Sequence, residues 1–229
     1  MTPYKYCLIA VFSLLLYSCE KKTEGLSKVT TPCNVKLLGG ETVLVEIGAE
    51  YVEPGYEAFE GNQNRTKNVK VSGTLCTDVP GLYTLRYIVD NSDGATTVVK
   101  RRVIVYDPAS ATGFYKVSKN SYRNAPPSRE YASEPVILIY QEKTGLYHVS
   151  DLFGGYYEVG RGYGTDYATG GSVRINDAGE VSLVSSRTTP WGDKFTSVNG
   201  IYDAENKSFD LIVDWEAGFT FYLMLTRVQ

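Results

Sequence analysis

The stretch GLYTLRYIVDNSDGATTVVKRRVIVYD, residues 81–107, decides the fold. Tyr83, Leu85, Tyr87 and Val89 fall on one face of an extended chain, and Thr84, Arg86 and Asp90 fall on the other. NSDG then supplies a turn, and residues 95–107 return as the partner strand of a hairpin. Upstream, VLVEIGAEYVEPGYEA (residues 43–58) reads as another extended run broken by Pro54 and Gly55. Short strands at this spacing predict an immunoglobulin-like β-sandwich over residues 32–107.

Downstream, residues 108–112 form a short link and the remainder reads as a second all-β unit, residues 108–229 in total. In SFDLIVDW (residues 208–215), Phe209, Leu211, Val213 and Trp215 alternate with Asp210 and Asp214, so one face is inward and the other outward. EKTG, NDAG, DAENK and EAG mark turns between successive runs, and no long helical pattern interrupts them. The expected class is all-β: an Ig-like sandwich followed by an antiparallel meander that closes as a barrel-like domain or packs as a sandwich.

The composition agrees. Nineteen tyrosines and 22 glycines favour strands and tight turns. A net charge of -3 with scattered basic residues argues against nucleic acid as a partner. At the N-terminus, the apolar run from Leu8 to Leu16 is too short to span a bilayer and reads as a secretory signal over residues 1–18. Leu16, Tyr17, Ser18 and Cys19 resemble the bacterial lipobox, which implies cleavage before Cys19 and its lipidation. Acyl chains at roughly 0.8 kcal/mol per buried methylene would anchor the protein to a membrane. The polar residues 19–31 then serve as a tether. Of the remaining cysteines, Cys33 and Cys76 either pair as a disulfide in an oxidising compartment or stay as two unpaired buried thiols.

Two resemblances extend this reading. GAEYVEPGYEA, VPGLYTLRYIVDNSDG and RRVIVYD resemble the bacterial Ig-like repeats, related to hyalin-repeat domains, of exported Bacteroidetes lipoproteins. The ordered motifs GFYKVS, GLYHVSDLFGGYYEVGRGYG and GIYDAENKSFDLIV resemble the C-terminal β-domain that follows such modules in outer-membrane lipoproteins, whose function is mostly uncharacterised. The resemblance implies a lipid-anchored outer-membrane protein at the cell surface, associated with polysaccharide or with outer-membrane uptake proteins.

Residues 151–171, DLFGGYYEVGRGYGTDYATGG, carry the sharpest local signal. Read as a strand from Tyr156 to Ala168, one face holds Tyr157, Val159, Arg161, Tyr163, Thr165 and Tyr167, while the other holds Tyr156, Glu158, Asp166 and three glycines. These tyrosines either fill a core beside Trp215 and Phe221 or form a platform for sugar rings. For the second role the candidates are Tyr156, Tyr163, Tyr167 and Trp191, flanked by Arg161, Asp166 and Asp193. Trp191 lies in the loop-like RTTPWGDKF, where a core role is less expected.

Catalytic signals are weak. His148, Ser150 and Asp151 are neighbours along one strand, where alternate side chains diverge, so they make no preformed triad. Asp151, Glu158, Asp166, Asp193, Asp214 and Glu216 could in principle supply a glycosidase pair, but acids at turns and strand ends are ordinarily solvated. No metal site, cofactor or phosphate loop is expected. The expectation is a non-catalytic glycan-binding or accessory lipoprotein; the alternative is a structural or adhesive protein that binds a protein partner.

Overall fold

The computed structural model describes residues 30–124 and 129–228. The expected signal segment, Cys19 and the tether up to residue 29 lie outside them.

Seven strands build the first domain: β1 (Cys33–Leu37), β2 (Thr42–Glu46), β3 (Tyr56–Glu60), β4 (Gln63–Asn64), β5 (Lys70–Ser72), β6 (Gly81–Asp90) and β7 (Thr96–Tyr106). They form two sheets, β1-β3-β4 and β2-β7-β6-β5, with β2 parallel to β7. The alternation in β6 holds: Leu85, Tyr87 and Val89 are buried, and Thr84, Arg86 and Asp90 are exposed. Asn91 sets the hairpin turn, its side-chain oxygen accepting the N–H groups of Asp93 and Ala95.

Within the basic run of β7, Arg101 points inward and is completely buried. It pairs with Glu53, donates to the carbonyls of Leu38 and Gly55, and lies 5.4 Å over the Tyr87 ring. Burial opposes ionisation of Glu53, but hydrogen bonds from Tyr87, Tyr51 and the Gly55 N–H, with Arg101 beside it, hold its carboxyl below the usual range. A buried charge is tolerated only when paired and bonded in this way.

Cys33 and Cys76 are not bonded. Cys33 packs with Ala58 and Val89, whereas Cys76 is exposed in the connection before β6. Their side chains therefore serve different environments, and the disulfide alternative is replaced by two free thiols, only one of them buried.

The second domain contains β8 (Gly113–Val117), β9 (Tyr122–Asn124), β10 (Arg129–Glu130), β11 (Val136–Lys143), β12 (Leu146–Val149), β13 (Gly171–Ile175), β14 (Glu180–Ser186), β15 (Phe195–Asp203), β16 (Ser208–Trp215) and β17 (Phe219–Arg227). Strands β8 and β11–β17 form an antiparallel eight-stranded barrel, closed by Leu225 opposite Val117 on β17 and β8. Closure rules out the sandwich alternative. The β9–β10 hairpin extends the other half of β17, with Arg123 opposite Phe221. As the sequence predicts, Phe209, Leu211, Val213 and Trp215 face the interior. Gly200 on β15 permits the tight approach of β16, because a Cβ there would stand 2.0 Å from the Asp210 carbonyl oxygen.

The connection between domains is held down at both ends. Ala111 and Thr112 are buried, and Lys207 and Arg227 donate to the carbonyls of Ala109 and Pro108. Ile104 on β7 and Leu138 on β11 are buried although neither belongs to a domain core, and β11 lies against β6 and β7.

Candidate ligand-binding site

Residues 150–170 join β12 to β13 at one end of the barrel, and one carboxylate latches both ends of this loop. Asp151 Oδ1 accepts the N–H groups of Phe153 and Thr169, each at 3.0 Å, and Oδ2 accepts that of Gly155 at 2.8 Å. Leu152 also donates to the Thr169 carbonyl. Burial pushes the Asp151 carboxyl up to about 6, against the three N–H donors, which favour its ionised form.

The continuous strand expected over residues 156–168 is not formed. Gly154, Gly155, Gly162 and Gly164 all have positive φ, which coils the chain instead of extending it. At Gly155 the restriction is also steric, since a Cβ would meet the Pro135 ring at 2.5 Å. A π-helical turn spans Tyr156–Gly160, and a 3-10 turn spans Thr165–Tyr167. Backbone N–H groups of Tyr163 and Gly164 donate back to Tyr157 and Glu158, folding the loop over the barrel end. The two-face sorting of the tyrosines therefore does not apply.

What the loop builds is a circuit of rings. Tyr157 lies 4.6 Å from Trp191 and 5.9 Å from Tyr163, Tyr163 lies 5.0 Å from Tyr167, and Tyr167 lies 5.2 Å from Trp191. Beneath it, the fully buried Phe153 touches Tyr157, Trp191, Phe195, Trp215 and Phe221. Trp215 supports Trp191 at 5.3 Å. Tyr157 is buried, Tyr167 half-buried, and Tyr163 and Trp191 remain 48% and 42% exposed. The tyrosines thus divide between core packing below and open rings above.

The nominated residues divide accordingly. Tyr163, Tyr167 and Trp191 come together, with Asp166 exposed in the 3-10 turn and Asp193 half-buried on the Trp191 loop. Tyr156 leaves the group. Its ring is buried against Tyr131 and Phe221, with Arg123 above it at 5.3 Å, so it offers no open face for stacking. Arg161 is exposed and lines a neighbouring cleft of about 240 Å³ with Tyr156, Gly160, Arg129, Glu130 and Ala132. Sequence reasoning missed Phe153 and Arg123, whose partners include residues far along the chain: Phe195, Trp215 and Phe221 for the first, Tyr156, Tyr157 and Phe219 for the second.

Of the groups considered for hydrolysis, Ser150, Asp151, Asp214 and Glu216 are engaged in hydrogen bonds. Ser150 Oγ accepts the Leu138 N–H, and the carboxylate nearest His148 is Glu142, at 3.9 Å. Burial lowers the His148 pKa. Asp214 accepts from Ser197 and Thr220, bonds that hold its carboxyl below the usual range. Glu216 accepts the Lys194 N–H.

Comparison with known proteins places this architecture. A family model described as "-like, C-terminal domain" matches residues 105–227, and the model of the bacterial surface protein Ig-like domain matches residues 35–105. Among solved structures, the lipoprotein BT2262 from Bacteroides thetaiotaomicron is 29% identical, with a TM-score of 0.71 over 85% of this chain and 100% of that one. A structure of CBM51-2 in complex with GlcNAc and INT domains from Clostridium perfringens ZmpB matches at 14% identity and a TM-score of 0.31, over 86% of this chain and 44% of that one, a likeness that carries no argument. No curated protein matches the chain. The chain belongs to the family defined by that C-terminal domain, joined here to a bacterial surface Ig-like domain as the sequence motifs implied.

Proposed function

We propose that this is a non-catalytic, lipid-anchored protein of the outer-membrane surface whose capped barrel end binds a glycan, as a component accessory to polysaccharide uptake. The carrying observation is that Tyr163 and Trp191 are half open to solvent while fixed from below by buried rings. Sugars present apolar C–H faces and polar edges. Aromatic rings suit the faces, and Arg161, Asp166 and Asp193 can hydrogen-bond the edges. Rings already held by packing lose little freedom on binding, which favours affinity. The likeness to a Bacteroides lipoprotein supports anchorage, and the lipobox-like Cys19 supplies the chemistry for it.

Affinity electrophoresis of the soluble chain beginning after Cys19, through gels containing plant, host and microbial polysaccharides, tests the binding. We expect at least one polymer to retard the protein, with retardation lost in Tyr163→Ala and in Trp191→Ala. Unchanged mobility in every gel would overturn direct glycan binding. It would leave the protein-partner reading, which the half-exposed Val159 beside this face favours. Anchorage is tested separately, since Cys19→Ser should move the protein from the membrane fraction to the soluble one.

A further inference from the structure

Next to the ring circuit is a positive corner in a chain of net charge -3. Arg123 and Arg129 stand directly opposite each other on β9 and β10 and so share a face of the hairpin. Arg129 also lines the 240 Å³ cleft, and Arg161 enters it from the π-helical turn. None of the three guanidinium groups makes an ion pair with a described residue. Like charges placed opposite on a ladder repel, so this arrangement costs the fold something that a bound anion would relieve.

Arg123 is held rigidly. Its guanidinium lies 4.5 Å over Phe219 and 5.3 Å over Tyr156, and Nη1 donates to the Tyr157 hydroxyl at 3.2 Å. Its Nε is buried with no acceptor. The Tyr157 ring that receives Arg123 also touches Tyr163 and Trp191, so the corner and the ring circuit are continuous. Glu130, paired with Tyr122 across the hairpin, lines the cleft too, so one carboxylate stands there against the two guanidinium groups of Arg129 and Arg161.

We infer that this corner is an anion subsite, and that the glycan taken by the ring circuit is acidic. Its carboxylate or sulfate would be read by Arg129 and Arg161, with Arg123 supplying fixed positive potential behind them. The planar guanidinium fork matches both oxyanions. The inference rests on the glycan reading above.

The test uses the soluble chain beginning after Cys19 with polygalacturonate, chondroitin sulfate and uncharged starch and xylan, at low and high salt. The Arg129→Ala/Arg161→Ala double variant is compared with Lys67→Ala/Lys70→Ala, which removes the same charge from the Ig-like domain. We expect an acidic polymer to bind, weakening at high salt and by at least about tenfold in the arginine variant. The lysine variant should bind as the parent does. Hyaluronate, a uronate polymer without sulfate, run beside chondroitin sulfate, which carries both groups, identifies carboxylate or sulfate as the group read. Binding of a neutral polymer that depends on Trp191 but is unchanged in the arginine variant would overturn the anion subsite and leave the ring circuit standing. Equal weakening in both double variants would reduce the effect to net charge and also overturn it. Binding of none of the polymers would overturn both readings.

Discussion

The two ends of the barrel are made by the same eight strands and differ in nearly everything else. At one end the connections are tight turns, residues 144–145, 176–179 and 204–207, and they surround a hollow of about 530 Å³. Its walls are mostly small or polar, with Gln141, Thr144, Asn176 and Asp177 beside Tyr147 and Tyr202. At the other end, residues 150–170 and 187–194 are long enough to fold back, and their rings fill the opening. Strand alternation thus fixes the barrel wall, while loop length decides whether an end is left open or capped. Size and chemistry point to opposite ends here. The larger hollow is lined mainly by small and polar groups, whereas the capped end concentrates aromatic rings beside charged side chains.

Mutations can break or sharpen this contrast. The largest effect is expected from Phe153→Ala, which removes the ring on which the cap rests and should cost about 3–5 kcal/mol. Urea denaturation followed by tryptophan fluorescence reports on the correct end, since both tryptophans of the chain, Trp191 and Trp215, lie there 5.3 Å apart. A change under about 1 kcal/mol would mean the cap is not part of the cooperative core. Asp151→Ala comes next. It leaves three buried N–H donors without their acceptor and should cost at least about 2 kcal/mol.

The same carboxylate gives the capped end a pH dependence of definite sign. Its folded-state pKa of about 6 lies above the ordinary 3.8, so the folded protein holds this proton more tightly than the unfolded chain. The associated stability is fully present below about pH 4 and is lost as pH rises through about 6. Asp151→Asn should flatten that window in denaturation curves taken from pH 4 to 7; an unaltered profile would assign the dependence to another group. The smallest effect belongs to the open end. The Tyr202 hydroxyl lies beside that of Tyr115, which donates to the Ala111 carbonyl, so Tyr202→Phe should cost no more than about 1 kcal/mol. A larger loss would show that the open end is bonded more tightly than its geometry indicates.

The sequence made the walls legible and the cap much less so. Period-two alternation in β6 and β16 identifies inward faces because a strand burying one side leaves a direct imprint. The closing pair β8 and β17 leaves none, since two edges meeting across the whole domain carry no local signal. Trp191 was readable as a loop residue from its flanking Pro190 and Gly192, and it is exposed as expected. The tyrosine-glycine run misleads because tyrosine favours strands while Gly154, Gly155, Gly162 and Gly164 adopt positive φ, a choice that periodicity does not register. Buried charge was equally hidden. Arg101 depends on Glu53, far along the chain, and Asp151 depends on backbone N–H groups that every sequence possesses.

The β8–β17 closure also sets an order of events. The strand that opens the barrel finds one of its two neighbours only after the strand that ends it has been synthesised, so the slowest contact to form is also the one that seals the domain. Until then β8 and β16 each present an unpaired edge. A chain cut before residue 219 would therefore be a sticky, two-edged sheet, an aggregation substrate and not a slightly shorter barrel.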